Sequence, residues 1–218
     1  PTDDDLLPER IPLRASEITA ANELLAAEEV DPGDFIVGIN VNASDVAIER
    51  RWPLENFAAL ADLLSQRLGA KVILVGAPDE VPYVERAIAM MRETPVNLSG
   101  RTTLREVIAL MDRMHLFITN DSGPLHLAYA MGTPTISLFG PETPLRYGPI
   151  GKKHSAVYKQ IDCSPCLNFG NLKRSNCQQE GRCMKEIKVH EIFELVERGS
   201  QQWKEKGEIT DLASPVIQ

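Results

Sequence analysis

The sequence predicts an α/β fold, a parallel sheet with helices on both faces, and three observations predict it. Short apolar runs of strand type recur at Phe35–Val41, Lys71–Gly76, Val96–Leu98, Leu116–Thr119 and Pro134–Phe139. Between them lie stretches with helical periodicity, each about 10 to 15 residues long. The alternation strand, helix, strand continues from Phe35 to Phe139, which is the pattern of a sheet buried on both sides.

Residues 1–34 read as an acidic linker followed by a helix. Ser16, Glu17 and Thr19 open the helical stretch, and Asp31-Pro32-Gly33-Asp34 closes it. The run Asp3-Asp4-Asp5 reads as solvated tail rather than as a metal site. After the first strand, Asn42 to Arg51 is a loop. Trp52-Pro53-Leu54-Glu55 then opens an amphipathic helix carrying Phe57, Leu60, Leu63, Leu64 and Leu68, and Gly69 stops it. A second helix spans Asp79 to Arg92, and another spans Thr103 to Met111. Beyond Gly140 regularity weakens. Ser155–Tyr158 reads as a short edge strand, residues 162–184 as a cysteine-bearing excursion, residues 187–203 as a closing helix and residues 206–218 as a tail. The main domain therefore runs over residues 35–205.

With 218 residues, 43% of them apolar, the chain can bury a full core. No run reaches the roughly 18 apolar residues of a membrane span. The opening PTDDDLLPER is acidic and lacks an apolar core, so no secretory signal is expected and a cytoplasmic location follows. Its lack of an initiator Met leads to the expectation of a fragment cut at a domain boundary. The net charge of −8 is uneven: residues 1–34 hold ten acids against Arg10 and Arg14, and the remainder is balanced at 21 acids and 21 bases. No domain-wide basic footprint is present, which argues against nucleic acid as a partner.

The stretch Leu116 to Gly140, LFITNDSGPLHLAYAMGTPTISLFG, carries the chemistry. It reads as strand, tight turn, short helix and strand. Asp121 or Ser122 can cap the helix, Pro124 suits its first turn, Gly132 closes it and Pro134 forbids its continuation. A helix starting at the carboxyl end of a buried strand presents free N–H groups where open α/β sheets bind ligands, and such a terminus holds anions. The amides of Ser122, Gly123 and Leu125 form the expected cradle, whereas Pro124 has no N–H to give. By the same strand-end rule, Arg50 and Arg51 can neutralise an anion from the loop after the first strand. Asp79 or Glu80, after the second strand, can accept from ribose hydroxyls or cap the helix that follows. Trp52 reads as a packing residue. Asp121, Ser122 and His126 offer the residue types of a hydrolytic triad but sit too close together on one helix start to form its chain.

The run Asn120-Asp121-Ser122-Gly123-Pro124-Leu125-His126-Leu127-Ala128, continued by Gly132-Thr133-Pro134 and Leu138-Phe139-Gly140-Pro141, resembles the signature of glycosyltransferase family 9, the ADP-heptose:lipopolysaccharide heptosyltransferases. Arg50-Arg51-Trp52-Pro53 resembles that family's basic-basic-Trp-Pro element, and Cys163-Ser164-Pro165-Cys166 resembles a segment found in a subset of it. The resemblance covers Phe35 to about Val196. It implies a GT-B fold of two Rossmann-like domains, of which this chain is the C-terminal, donor-binding half. It further implies a nucleotide-sugar donor, ADP-heptose, and a lipopolysaccharide-precursor acceptor held by an N-terminal domain that also carries the catalytic base. It places Arg50, Glu80, Asp121 and His126 in the donor site and sets Thr143 beside it. No internal Asp-x-Asp metal pair is present, so no cofactor is required and transfer is expected to be metal-independent. A nucleotide-sugar epimerase of the same fold, or a non-catalytic nucleotide- or zinc-binding module, are the alternatives.

Cys163, Cys166, Cys177 and Cys183 are spaced C-x2-C-x10-C-x5-C. The spacing suits a structural zinc, a disulfide pair or free buried thiols. The segment Lys152 to Lys188 holds eight bases against Asp162, Glu180 and Glu186, a surface that suits anionic lipid at the inner face of the inner membrane or a phosphorylated glycolipid acceptor.

Overall fold

We describe the protein from a computed structural model that defines residues 8–167, 170 and 177–212. Asp3 to Asp5, Lys173, Arg174 and the tail beyond Leu212 lie outside the described residues. Six strands form one sheet: β1 (Ile36–Asn40), β2 (Lys71–Leu74), β3 (Val96–Asn97), β4 (Leu116–Asn120), β5 (Thr135–Phe139) and β6 (His154–Tyr158). Their order is β3-β2-β1-β4-β5-β6 and every pairing is parallel. The helices are α1 (Ala15–Ala27), α2 (Leu54–Leu68), α3 (Val81–Ile88), α4 (Leu104–Arg113), α5 (Gly123–Met131), α6 (Pro144–Tyr147), α7 (Arg182–Lys185) and α8 (Val189–Lys206). The expected α/β class and parallel sheet are what the structure has.

The side-chain alternation of the strands divides the core in two. Val37 and Ile39 of β1 face α2, α3 and α8, which bring Phe57, Leu60, Leu64, Val84, Ile192 and Val196. Ile36 faces the other layer, where α1, α4 and α5 bring Leu25, Ile108, Met111, Ala128 and Met131. Each such aliphatic side chain taken from water contributes roughly 1.5–3 kcal/mol, so both layers are held mainly by burial. Gly38 is required between them, because an added Cβ would lie 2.2 Å from the Met114 sulfur and 2.8 Å from the Phe117 ring.

Helix α1 brings only Ala21 and Leu25 into the core, and ion pairs supplement them. Arg105 of α4 binds Glu17 at 2.6 Å and also donates to the Pro12 carbonyl at 2.7 Å. Arg101 reaches Glu28 at 2.7 Å, and Arg10 pairs with Asp112. The Arg105 hydrogen bond, with the Arg14 amide, holds the Glu17 carboxyl down to about 2. The acidity of the leading segment is therefore matched in part by Arg105 of α4 and by Arg101 just before it.

Helix α3 is shorter than its sequence suggests. Asp62 of α2 accepts the amides of Arg92 and Glu93, each at 2.9 Å, and this side-chain capture replaces the last helical turn. At the other end, a 3-10 turn over Pro78–Glu80 precedes the helix, and Glu80 rather than Asp79 accepts the Ala77 amide, at 2.8 Å. Among the described residues no helix is long and apolar enough to cross a membrane.

Candidate functional site

In a sheet of order 3-2-1-4-5-6 the connections after β1 and β4 leave on opposite faces and open a crevice at their carboxyl ends. Helix α2 follows β1 on one layer and α5 follows β4 on the other. Arg50, Asp121, Ser122 and Gly123 lie together at this crevice, and the other residues expected there part from them. Asn120 ends β4, Asp121 turns the chain, Ser122 stands at the N-cap with extended backbone (φ −154°, ψ 168°), and α5 begins at Gly123.

The cradle is smaller than the sequence suggests. The Leu125 amide is taken by the Ser122 carbonyl at 3.1 Å, because the first turn tightens to a three-residue step, and its side chain is buried against Phe139. Leu125 is therefore a packing residue and its N–H is not open. The Ser122 and Gly123 amides meet no acceptor among the described residues. Ser122 makes no side-chain cap; its hydroxyl instead hydrogen-bonds the Thr119 hydroxyl at 3.0 Å, which leaves the helix start uncapped. An alanine Cβ at Gly123 would meet nothing within 4 Å. The protein's own packing does not require glycine there, and the space over the helix start stays open. His126 is exposed in the first turn of α5.

The two arginines part company. Arg50 crosses the crevice: its Nη1 donates to the Asp121 carbonyl at 3.3 Å and lies 3.6 Å from Asp121 Oδ2. Its Nε is buried and meets no acceptor among the described residues. Arg51 turns the other way. It donates to the Ala43 carbonyl from Nε (2.9 Å) and Nη2 (2.7 Å), pairs with Asp45, and lies 4.7 Å over the Tyr83 ring. It braces the loop after β1 and lines a cavity of about 570 Å³ with Asn42, Glu80, Tyr83 and Arg86.

Glu80 sits at that cavity. Its Oε1 accepts from Asn42 Nδ2 at 2.6 Å and its Oε2 from the Ala77 amide. Each carboxylate oxygen keeps a second lone pair for a sugar hydroxyl. Thr143 caps the short α6 through the Leu145 amide at 3.3 Å. Trp52 is fully buried, edge-on to Phe57, with its Nε1 donating to the Ile187 carbonyl at 3.0 Å; it packs, as its sequence context suggests.

Two further residues hold this arrangement, and the sequence assigns a role to neither, Asn120 entering only as the first residue of the family-like run and Asn42 as part of a loop. Asn42 fixes Glu80, and Asn120 bonds the backbone of β1 and of the Arg50–Trp52 turn. Their one visible signal is an amide side chain at the end of β4 and another two residues beyond the end of β1.

A protein-family model described as glycosyltransferase family 9 (heptosyltransferase) matches residues 10–175. The chain belongs to that family. It is 34% identical over 111 residues to the lipopolysaccharide core heptosyltransferase OpsX of Haemophilus influenzae, covering 50% of this chain and 32% of OpsX. The crystal structure of a glycosyltransferase family 9 protein from Veillonella parvula aligns with a TM-score of 0.72 at 27% identity, over 89% of this chain and 54% of that one. The structure of E. coli ADP-heptose lps heptosyltransferase II aligns with a TM-score of 0.70 at 20% identity and the same coverage, which bears on the fold alone. The chain thus spans about a third of OpsX and about half of the solved structures. For a member of family 9, the crevice between β1 and β4 is the site to explain.

The cysteines stand beside that crevice as free thiols. The Cys166 and Leu167 amides both bond the Pro141 carbonyl, at 2.9 and 2.8 Å, and Ser164 bonds the Gly140 carbonyl. Burial pushes the Cys183 thiol up to about 11, and Cys166 also lies above its ordinary value, chiefly for the same reason. Among the described residues no group of three or more His, Cys, Asp or Glu side chains is arranged to hold a metal. The spacing suits zinc but the geometry does not assemble its ligands, so no chemistry is assigned to a metal here.

Proposed function

We propose that this chain is the donor-binding half of a heptosyltransferase that moves a heptose from ADP-heptose to the lipopolysaccharide inner core. The observation that carries the reading is the open pair of amides at the start of α5, Ser122 and Gly123, next to Asp121, on which the Arg50 guanidinium is held. Transfer breaks the bond between the anomeric carbon and a phosphate oxygen. Negative charge then grows on the departing diphosphate while the sugar becomes oxocarbenium-like. Preorganised amides at a helix start and a fixed guanidinium stabilise that charge at the moment of departure without a metal. Asp121 orients Arg50, Glu80 takes ribose hydroxyls, and exposed His126 donates to a phosphate oxygen. The base that activates the acceptor hydroxyl belongs to the other half of the enzyme, which also binds the lipopolysaccharide precursor.

The acceptor is a lipid-borne saccharide, so the enzyme works at the cytoplasmic face of the inner membrane. Leu145, 81% exposed, and Ile150 stand near exposed Lys152 and support peripheral contact there. The test is calorimetric titration of the full-length enzyme with ADP, followed by ADP-heptose turnover with a lipopolysaccharide-precursor acceptor in the presence of a chelator. Micromolar ADP binding and chelator-resistant, acceptor-dependent transfer are expected. Absence of ADP binding sinks the reading, and sugar conversion without acceptor would make the enzyme an epimerase.

A further inference from the structure

The last ladder pair between β1 and β4 joins Asn40 to Thr119. Beyond it the two strands must separate, because α2 and α5 lie on opposite layers, and the carbonyls of Val41 and Asn42 lose their neighbouring strand. The Asn120 side chain fills the gap. It is fully buried, its Nδ2 donates to the Val41 carbonyl at 3.1 Å and the Asn42 carbonyl at 3.2 Å, and its Oδ1 accepts the Trp52 amide at 2.9 Å. One amide thereby ties the end of β1, the start of α2 and the end of β4. A carboxylate of the same shape has no donor for the two carbonyls, and a shorter side chain does not span them.

Each tied point carries a donor-site group. Asn42 holds Glu80 through its own side chain, at 2.6 Å. Trp52 is two residues from Arg50, and Asp121, which Arg50 meets, directly follows Asn120. We propose that Asn120 is the positioning residue of the donor site. It sets the width of the switch-point crevice, and with it the distance from the ribose-binding carboxylate to the diphosphate-binding cation and amides. This inference rests on the donor-site reading above. It does not restate it, because Asn120 is fully buried and offers no surface to a ligand.

The test is a double-mutant cycle in the full-length enzyme, read by ADP calorimetry and steady-state kinetics. Asn120→Ala is expected to weaken ADP binding and raise the donor KM by about 10- to 100-fold, the cost of misplacing binding groups by a fraction of an ångström to an ångström. The acceptor KM should stay within twofold of wild type. Combined with Arg50→Gln or Glu80→Gln, the loss should fall well short of the product of the single losses, since residues acting through one another are not additive. Leu195→Ala, buried in α8, serves as a stability control that lowers the unfolding temperature and leaves ADP affinity unchanged. Should Asn120→Ala not fold, Asn120→Ser carries the same cycle. The assignment is overturned if Asn120→Ala binds ADP like wild type, if losses multiply in both cycles, or if neither variant folds, which would make Asn120 a folding determinant only. A wild-type enzyme that does not bind ADP overturns the donor-site reading instead.

Discussion

Replacing Gly123 by alanine separates a ligand-binding role from a structural one, because the two make opposite predictions for stability. Gly123 is the first residue of α5, its φ is not positive, and an added methyl meets no protein atom within 4 Å. Alanine also loses less backbone freedom than glycine on folding and is the better helix residue, by up to about 1 kcal/mol in an interior position and less at the first turn. The folded protein should therefore be unchanged or stabilised by a few tenths of a kcal/mol. Binding should move the other way. The methyl would occupy the open space through which a phosphate oxygen must pass to come within about 2.9 Å of the Ser122 and Gly123 amides.

Hydrogen bonds to charged groups are worth about 1.5–3 kcal/mol, so losing one weakens ADP binding by roughly 10- to 150-fold. Thermal unfolding and ADP calorimetry on the same full-length preparation measure both quantities. An unchanged dissociation constant would refute the cradle. A drop of several degrees in Tm would show that packing, rather than a ligand, demands the glycine.

Gly140 gives the contrasting case: its Cβ would lie 2.6 Å from the Met184 sulfur and 2.8 Å from Cys183 Sγ, so Gly140→Ala should cost about 1–3 kcal/mol in urea unfolding. His154, half-buried with Nδ1 at 2.9 Å from the Thr135 hydroxyl and its ring edge-on to Tyr129, is pushed down to about 4 by burial, with Lys153 adding to the shift. A folded-state value below that of the unfolded chain means its contribution is intact above pH 6.5 and lost as pH falls from 6.5 to 4, up to about 3 kcal/mol. His154→Gln should flatten that limb of the pH–stability curve. Thiol alkylation followed by mass spectrometry should label exposed Cys163 first and buried Cys183 last, since burial both shields Cys183 and disfavours its thiolate.

What was legible in the sequence is what local chain chemistry decides. The strand Leu116–Asn120, the stop at Gly132 with φ 73° and the helix between them follow from residues within a few positions of one another. The open space over the helix start at Gly123 belongs to the same local chemistry. The register of the first turn does not follow from the sequence, because a three-residue step engages the Leu125 amide that a regular helix leaves open. Orientation was not legible where it depends on distant partners. Arg50 and Arg51 are adjacent and chemically identical, yet one reaches Asp121, 71 residues away, and the other stacks on Tyr83. Arg50 is the last residue of the 3-10 turn and Arg51 is extended (φ −78°, ψ 123°), and no periodicity in the sequence encodes that boundary. Asn120 finds its acceptors and donor 68 to 79 residues away, and Asn42 finds Glu80 after 38. A strand-end amide therefore looks like any polar loop residue until the sheet order is known. Once β1 and β4 are neighbours, two carbonyls and one N–H at the mouth of the crevice must be satisfied away from water, and asparagine is a side chain that supplies two donors and an acceptor at that reach. The topology that creates the ligand crevice also creates the unsatisfied backbone that Asn120 serves.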